Sequence, residues 1–378
     1  MEKGNKRRLV FELLRERAKT SRAEIARVTG MSFPTAMKVV EEFLEKGLLE
    51  ELEELEPGVG GGRKGHMLRF VPGAYRAVGV ECEGQFAHVG LSDMVGNVLK
   101  RETIELGEFM HTRDLSPLAD AVKRMQQAAG DSPVLGICIG FPANMNQKEC
   151  AVVSCQTMEI ETQTPFAQIF PTFCSSLDLP LYVENDANVA CEGEAFLRRE
   201  RCESSGSDNM LYIALGSGCG GAVRLDGKLR CGARCSSGEI GALLLHPAEG
   251  APKREEMQDT LEGMVCIPAL ERKFGVTLRE DVPLEEETVQ KLCEYLAAPL
   301  SGAIYTMAMM LDIDLCVLSG IVPSILGPQL CAQIEERLNG AMPKGTAVRV
   351  EPSVDQDAGI IGAAATVFAH SLDALLGG

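Results

Sequence analysis

The feature that most restricts the fold of this chain is a repeated strand–glycine–strand pattern. The stretch "AVGVECEGQFAHVGLSDMVGNVL", residues 77–99, contains an apolar strand, a glycine turn, a second strand and a D-x-x-G turn. The stretch "MLYIALGSGCGGAVRLDGKL", residues 210–229, repeats this order about 130 residues later. A chain of 378 residues with two such hairpins is predicted to contain two similar α/β halves.

The segments between and after the hairpins alternate between strand and helix patterns. "VLGICIGFP" and "LPLYVEND" are typical of buried strands, and "ANVACEGEAFL" is typical of a helix. After the second hairpin come a long helical region, the strand "LCVLSG", a helix, the strand "AVRVEP" and the closing helix "AGIIGAAATVFAH". This alternation predicts mixed α/β sheets with a cleft between the two halves.

The charge of the chain is distributed unevenly. The net charge is −17, but residues 1–38 hold ten Lys and Arg against four Glu, a balance of +6. The remaining 340 residues therefore carry −23. An acidic body repels nucleic acid, whereas a basic head attracts it. DNA contacts are therefore expected only in the head.

The basic head contains the signals of three helices. Residues 6–17, "KRRLVFELLRER", place leucine and valine side chains on one face at helical spacing. Ser21 and Glu24 form a capping box that begins a second helix, and Gly30 ends it. A third helix is predicted from Ser32 through "FPTAMKVVEEFLEKG". Two short helices joined by a glycine-containing turn predict a DNA-binding helix-turn-helix. The alternative is a small helical domain that contacts protein.

The start of the third helix is the predicted DNA-reading surface. Pro34 fits only the first turn of a helix, which exposes this end toward a major groove. The predicted DNA-binding residues are Ser32, Phe33, Thr35 and Lys38.

A glycine-rich segment after the third helix is predicted to form the tip of a wing. Glycines 60–62 are followed by Arg63 and Lys64, which can enter a narrow minor groove. The flanking glutamates would repel DNA phosphates at close range; they are Glu50, Glu51, Glu53, Glu54 and Glu56. A flexible interdomain linker is therefore the alternative.

Cysteine spacing and hydropathy predict the compartment. The 14 cysteines are scattered singly, without a CxxC pair. In a large cytoplasmic chain, reduced cysteines act as small buried apolar residues. No apolar run reaches the roughly 18 residues of a membrane span, and the N-terminal sequence lacks the apolar core of a signal peptide. We expect a cytoplasmic protein without membrane contact.

Several motifs in a fixed order resemble the ROK family of repressors, open reading frames and sugar kinases. These motifs are "VENDAN", "GSGCGGAVRLDGKL", "SGEIG" and "GIIGAA", after a head with a G-G-R tip. The resemblance covers nearly the whole chain. It implies an α/β fold with an N-terminal winged helix-turn-helix followed by a duplicated actin-like (ribonuclease-H-like) body. The expected domains are residues 1–72 for the head and wing, 73–190 for the first half and 191–378 for the second.

The first hairpin departs from the pattern of the family's kinases. These kinases carry Asp-x-Gly-Gly-Thr there, and its glycines and hydroxyl contact ATP phosphates. The matching residues are Glu81, Glu83, Gly84 and Gln85. A carboxylate at Glu83 would repel each phosphate charge by about 4 kcal/mol at roughly 4 Å and an effective dielectric near 20. The second hairpin, with glycines at 216, 218, 220 and 221, still suits a phosphate. Half a nucleotide site predicts that kinase activity is lost.

The resemblance implies that the sugar site is better preserved. The Asp of "VENDAN", here Asp186, is the general base toward a sugar hydroxyl in the family's kinases, and Asn185 binds neighbouring hydroxyls. Glu239 in "SGEIG" and Glu262 match further sugar contacts of the family. The alternatives are helix capping for Asn185 and Asp186 and a solvated loop carboxylate for Glu239.

The zinc site of the family is replaced in this chain. Family members have Gly-Glu-Ile-Gly-His, then Cys-x-Cys-Gly-x-x-Gly-Cys-x-Glu. The four ligand positions are occupied by Ala242, Lys253, Glu255 and Thr260. His246 and Cys266 are nearby, but two ligands do not hold a tetrahedral zinc. No metal or other cofactor is expected, and the missing histidine also removes a sugar contact of the family.

These features together predict a winged-helix transcriptional regulator, a repressor rather than an enzyme, which binds an operator in double-stranded DNA. Its body is predicted to bind a sugar or sugar derivative as effector, and the chain to assemble as a homodimer or homotetramer. One alternative is an ATP-dependent sugar kinase with a DNA-binding head. The other is a regulator whose sugar site is not functional and whose signal is a partner protein.

Overall fold

The structure is a computed structural model that describes residues 3–17, 19–52, 67–200, 208–245 and 259–375. The predicted wing residues Arg63 and Lys64 lie outside the described residues, as do His246, Lys253 and Glu255.

The N-terminal unit consists of three helices and a three-stranded sheet. Its elements are α1 (Lys3–Glu16), β1 (Lys19–Ser21), α2 (Arg22–Thr29), α3 (Phe33–Glu45), β2 (Leu49–Leu52) and β3 (Met67–Phe70). The strands are antiparallel in the order β1-β3-β2. Strands β2 and β3 are therefore paired on either side of the segment that carries the predicted wing tip.

Local sequence signals set the helix ends of this unit. Ser21 caps α2 by accepting a hydrogen bond from the Glu24 N–H at 3.2 Å. Gly30 ends α2 with φ +66°, the left-handed conformation that glycine adopts most easily. Pro34 lies in the first turn of α3, as predicted. The buried faces of α1 and α3 pack together through Val10, Leu14, Val40 and Phe43, whereas Leu9 is exposed although it was expected on the buried face.

A 3₁₀ turn (Pro72–Ala74) leads into the first half of the body. Its first elements are β4 (Arg76–Glu83), β5 (Phe86–Asp93), β6 (Val98–Glu105), α4 (Phe109–Thr112), α5 (Ser116–Ala128) and β7 (Val134–Phe141). They are followed by β8 (Asn144–Asn146), β9 (Ala151–Ser154), β10 (Thr164–Pro165), α6 (Phe166–Ile169), α7 (Pro171–Ser175), β11 (Leu181–Asn185) and α8 (Asp186–Glu200). The five-stranded sheet has the order β11-β7-β4-β5-β6, and β8, β9 and β10 form a separate small sheet.

The second half begins with β12 (Met210–Leu215), β13 (Cys219–Leu225), β14 (Lys228–Leu229) and a 3₁₀ turn (Ile240–Ala242). Its helical region comprises α9 (Leu261–Val265), α10 (Ile267–Phe274) and α11 (Glu286–Leu311). The closing elements are β15 (Leu315–Ser319), α12 (Ile321–Leu326), α13 (Pro328–Ala341), β16 (Arg349–Pro352) and α14 (Ala358–Leu375). The five-stranded sheet has the order β14-β13-β12-β15-β16.

The two sheets confirm the duplication expected from the repeated hairpin. In each sheet the first hairpin strand is central: β4 pairs with β5 antiparallel and with β7 parallel, and β12 pairs in the same way with β13 and β15. Each sheet also has its own hydrophobic core. The fold is thus α/β with two mixed sheets, and among the described residues no helix is long and apolar enough to cross a membrane.

Helices α8 and α14 cross in direct backbone contact. A Cβ added to Gly193 of α8 would overlap the carbonyl oxygen of Ala358, and one added to Gly362 of α14 would overlap the carbonyl oxygen of Val189. Helix α14 also packs on the first sheet, where Ile360 fills the space beside Gly79 and Gly90. The closing helix therefore returns to the first half, and α8 runs through residues 190 and 191, where the boundary between the halves was expected.

We predict that Gly193→Ala destabilises the protein by about 3 kcal/mol or more, because the opposing atom is backbone that a rotamer change cannot move. The matched control is Gly302→Ala in α11, where an added Cβ meets nothing within 4 Å. That change should stabilise by about 0.5–1 kcal/mol through helix propensity. Thermal unfolding of both variants checks this, and equal stabilities would contradict the close crossing.

Candidate functional site

The first hairpin turn carries a carboxylate that faces the second hairpin. Glu83 and Phe86 pair across the turn, which leaves Gly84 and Gln85 as a two-residue loop with φ +58° at Gly84. Glu83 is exposed, and its Oε2 lies 3.8 Å from Nε2 of His88. A Cβ added to Gly216 of the second hairpin would lie 3.9 Å from Oε1 of Glu83. The two glycine turns therefore face each other with Glu83 between them.

The second hairpin turn already binds a carboxylate. Glu262, in the first turn of α9, accepts a hydrogen bond from the Cys219 N–H through Oε2 at 2.8 Å. The same oxygen would be 2.9 Å from a Cβ added to Gly218. The sequence predicted that these glycines could hold a phosphate. In the structure the N–H at the end of the turn is satisfied by Glu262, whose negative charge would repel a phosphate there.

Asn185 and Asp186 lie where β11 ends and α8 begins, as the sequence predicted. The Asn185 side-chain amide donates to Oδ1 of Asp186 at 2.9 Å and to the Ala143 carbonyl at 3.2 Å. Its Oδ1 accepts from the Asn188 N–H at 3.0 Å, and Oδ1 of Asp186 accepts from the Ala187 N–H at 2.9 Å. Both residues thus make helix-capping bonds. Both of these hydrogen bonds to the Asp186 carboxylate from neighbouring residues use Oδ1.

Five carboxylates form the cleft cluster, which consists of Glu81, Glu83, Asp186, Glu239 and Glu262. Burial raises the pKa of Asp186 to about 7, and the charges of Glu239 and Glu83 add to the rise. Partial burial, then the charge of Glu262, raises the pKa of Glu239, which precedes the Ile240–Ala242 turn. Three of the four predicted sugar-binding residues, Asp186, Glu239 and Glu262, thus belong to one electrostatically coupled group, and Asn185 is joined to it by its hydrogen bond to Asp186.

Glu81 is the most strongly perturbed member of the cleft cluster. Burial raises its pKa to about 8, and the charges of Glu83 and Asp186 contribute. Its carboxylate packs against Gly359 in the first turn of α14, where any larger residue would overlap it. Arg101 lowers this pKa, but it forms an ion pair with Asp357 at 3.0 Å. The first hairpin therefore contains one buried carboxyl group, that of Glu81, which holds a proton near neutral pH.

The position of one lost zinc ligand has a structural use. Thr260 caps α9 by accepting a hydrogen bond from the Gly263 N–H at 3.2 Å. Ala242 ends the 3₁₀ turn that follows Glu239. Within the described residues, no three potential His, Cys, Asp or Glu ligands are grouped to hold a metal.

At the start of α3 the structure exposes most of the predicted DNA-reading side chains. Ser32, Phe33 and Lys38 are exposed, with 53% of Phe33 accessible, and Thr35 is half-buried. Oγ of Ser32 lies 2.8 Å from Oγ1 of Thr35, so these two hydroxyls hold each other. This helix end therefore exposes both polar and apolar side chains, and Lys38 adds a positive charge.

The acidic flank of the predicted wing is partly neutralised. Glu50 pairs with Arg69 across β2 and β3, and Glu51 pairs with Arg22 of α2. Arg22 also lies 3.4 Å from Glu41. These two glutamates therefore repel DNA less than the sequence suggested, because each has a cation beside it.

Sequence reasoning missed two contacts that shape these surfaces. Arg7 is buried and its Nε lies 2.7 Å from Oε2 of Glu42, which joins α1 to α3. Glu262 was expected only as a sugar contact, yet it bonds to the second hairpin 43 residues earlier. Both contacts join segments that are distant in the sequence, so neither produces a local sequence pattern. The one available signal was the charge of Arg7 on an otherwise apolar helix face, which indicates a buried partner.

Two mixed five-stranded sheets of matching strand order, each with a glycine hairpin, and an added N-terminal helical unit define a duplicated α/β fold. The ROK family model matches residues 77–370, and the chain belongs to the ROK family.

Named relatives include both kinds of family member. The chain is 25% identical over 240 residues to the xylose repressor of Caldicellulosiruptor bescii, covering 62% of this chain and 57% of that protein. It is 28% identical over 211 residues to a glucokinase of Halalkalibacterium halodurans, covering 49% and 62%. A solved ROK family transcriptional regulator, a homologue of the E. coli MLC protein, superposes with a TM-score of 0.75 at 19% identity, covering 98% and 97%. The chain thus spans about three-fifths of the length of the xylose repressor and of the glucokinase.

We predict that Glu81→Gln raises the melting temperature by at least a few degrees at pH 8.5 and little at pH 5. The pKa of Glu81 is about 8 in the fold against an ordinary value of 4.5, so the unfolded chain loses this proton first, and stability falls as pH rises from about 4.5 to about 8. Each pKa unit corresponds to about 1.4 kcal/mol. The control is Glu105→Gln on the exposed side of β6, which should show no pH-dependent gain. An equal rise in melting temperature at pH 5 and pH 8.5 would contradict the conclusion that Glu81 is protonated in the folded protein.

Proposed function

We propose that this protein is a DNA-binding transcriptional repressor whose body binds an unphosphorylated sugar as effector. The observation that carries the proposal is that one chain contains both of the following surfaces. A basic helical unit exposes the start of α3, and the cleft behind it presents Asp186 while carboxylates line both glycine turns. The name of the xylose repressor supports the same function.

We propose that the N-terminal unit is a winged helix-turn-helix. Helices α2 and α3 would be its helix pair, with α3 in the major groove, and β2 and β3 would lead to a wing tip at Arg63 and Lys64. The exposure of Phe33 and Lys38 supports this assignment. We also propose a homodimer or homotetramer, in which two heads would occupy successive half-sites.

The proposed domains are residues 1–72, 73–190 and 191–378. The chain would pass from the first to the second half within α8, and α14 would join the halves again because it packs on the first sheet. We propose a cytoplasmic location, which suits a protein that binds DNA.

We propose that the effector site consists of Asn185, Asp186, Glu239 and Glu262. Oδ2 of Asp186 would accept a sugar hydroxyl, and a carboxylate accepts such a bond more strongly than a neutral oxygen does. The negative charges of the cleft cluster favour a neutral or cationic sugar over a sugar phosphate. D-xylose is the first candidate, from the name of the relative.

The alternative of a sugar kinase is supported by the glucokinase relative. Two observations oppose it. Glu83 takes the place of a phosphate-binding residue between the turns, and Glu262 holds the Cys219 N–H of the other turn. Phosphoryl transfer depends on neutralising charge, which these carboxylates do not do. An assay for ADP formation from ATP with D-xylose and D-glucose should give no turnover, and turnover would establish the kinase.

The function is tested by a mobility-shift titration on the DNA upstream of the chain's own coding sequence, with and without sugars. The panel is D-xylose, D-glucose, D-glucosamine and glucose 6-phosphate. We expect a specific shift that an unphosphorylated member of the panel changes and the phosphate does not. A specific shift that no sugar changes would favour the regulator whose sugar site is not functional.

The DNA surface is tested separately. Lys38→Ala and Thr35→Ala should each weaken specific DNA binding by about 1–3 kcal/mol, as expected for a side chain that reads a base. The matched control is Lys46→Ala at the opposite end of α3, which removes the same charge and should change the dissociation constant little. Equal losses for Lys38→Ala and Lys46→Ala would indicate general charge attraction instead of base reading.

The sugar site is tested by Asp186→Asn. Asparagine caps a helix about as well as aspartate, but it loses the charge-assisted hydrogen bond, worth about 1.5–3 kcal/mol. We expect effector affinity to fall about tenfold or more in calorimetry, with DNA affinity nearly unchanged. Unchanged effector affinity would reduce Asp186 to a helix cap.

A further inference from the structure

Two helices lead from the cleft cluster to the N-terminal unit. Helix α8 begins at Asp186, and Phe196 follows ten residues later, about 15 Å along the helix. Helix α14 begins beside Glu81, where Gly359 packs on its carboxylate, and Leu372 near its other end joins the hydrophobic core of the head. Each helix therefore begins at a carboxylate of the cleft cluster and reaches the head further along its length.

The two helices are held together so closely that one cannot slide without the other. The crossing at Gly193 and Gly362 brings backbone against backbone on both sides. A displacement of either helix by the length of a bond would produce overlap, and packed backbone cannot relax as a side chain does. Helices α8 and α14 therefore transmit a shift as one body.

The far ends of this pair meet helix α1 of the head. The guanidinium of Arg15 lies over the ring of Phe196, with its carbon 4.8 Å from the ring centroid. Arg15 also pairs with Glu12 at 2.8 Å. Phe196 in turn packs on Gly96, where a Cβ would lie 2.7 Å from the ring. The ring is thus confined by the first sheet and touches the head through one cation.

The packing around this contact is incomplete. A cavity of about 50 Å³ lies between α1 and α14, lined by Arg15, Phe196, Phe11, Met94 and Phe368 among others. Apolar interfaces are otherwise packed to crystal density. The contact between α1 and α14 is therefore not completely filled at this point.

Within the head, α1 is tied to the proposed reading helix. Arg7 is buried and its Nε lies 2.7 Å from Oε2 of Glu42 in α3. An ion pair with one partner buried is costly to break. A shift of α1 should therefore carry α3 with it.

From these contacts we propose that the stacking of Arg15 on Phe196 couples the effector site to the DNA-binding helix. Effector binding at Asp186 moves α8 and α14 together, and Phe196 passes the shift to α1 and so to α3. This inference rests on the proposed function. Arg15 and Phe196 are positioning residues that touch neither sugar nor DNA.

The test compares operator affinity with and without sugar in the unaltered protein and in three variants of the whole chain. The sugar is whichever member of the panel changes the mobility shift of the unaltered protein. The coupling is the ratio of the two dissociation constants, and allosteric ratios are typically about 5–150. Arg15→Met keeps the apolar stem and removes the charge. Lys273→Met is the matched control, because Lys273 stacks on Tyr295 at 4.6 Å in the second half.

We expect Arg15→Met to reduce the ratio to within about twofold of one. Its operator affinity without sugar, and its sugar affinity without DNA, should stay within about threefold of the unaltered protein. Lys273→Met should keep the full ratio. Phe196→Leu is the second variant, and thermal unfolding verifies that it folds. Its ratio of dissociation constants should also fall to within about twofold of one.

Separate outcomes overturn the two proposals. If both Arg15→Met and Phe196→Leu keep the full ratio, this contact is packing only and the coupling inference is wrong. If Arg15→Met, Phe196→Leu and Lys273→Met all reduce the ratio of dissociation constants equally, the effect is not specific to the contact and the inference also fails. If the unaltered protein binds the operator but no sugar changes that binding, the proposed effector function itself fails, and the coupling with it.

Discussion

The backbone contact between α8 and α14 is the constraint on which the arrangement of this molecule depends. Gly193 and Gly362 let the two helices approach until carbonyl oxygens occupy the space of side chains. This contact ties the last helix of the chain to the helix that follows Asp186, and both to the first sheet. The site at the start of α8, the buried Glu81 and the core of the head are consequently parts of one packed body, joined by elements that are far apart in sequence.

The chemistry of the cleft follows from replacing phosphate-binding groups with carboxylates in a fold that keeps both hairpins. Glu83 faces Gly216, and Glu262 satisfies the Cys219 N–H, so each glycine turn has an internal anion. Burial, and then the charges of neighbouring carboxylates, raises the pKa of Glu81 to about 8 and that of Asp186 to about 7. Near neutral pH these two groups are therefore partly protonated, and a sugar hydroxyl, which both donates and accepts, would fit them better than a phosphate does.

Local signals made part of this structure predictable, and distant contacts did not. The capping box at Ser21, the stop at Gly30 and the strand–helix junction at Asp186 were predicted because each depends on neighbouring residues. The repeat predicted two similar sheets because hairpin order sets strand order. Burial of Glu81 against α14, the bond from Glu262 to the second hairpin and the pair of Arg7 with Glu42 required the chain to be folded first. The roles of Arg63 and Lys64 stay predictions.

The charge balance of the head determines how it would recognise DNA. Arg22 is engaged by Glu51 and Arg7 is buried against Glu42, so fewer cations face outward than the composition of residues 1–38 suggests. Non-specific affinity depends on cations that replace counterions at phosphates. In the proposed complex, base contacts from the start of α3 would therefore supply affinity that phosphate contacts do not. A second copy on an adjacent half-site would strengthen such binding, because two linked contacts multiply where each is weak.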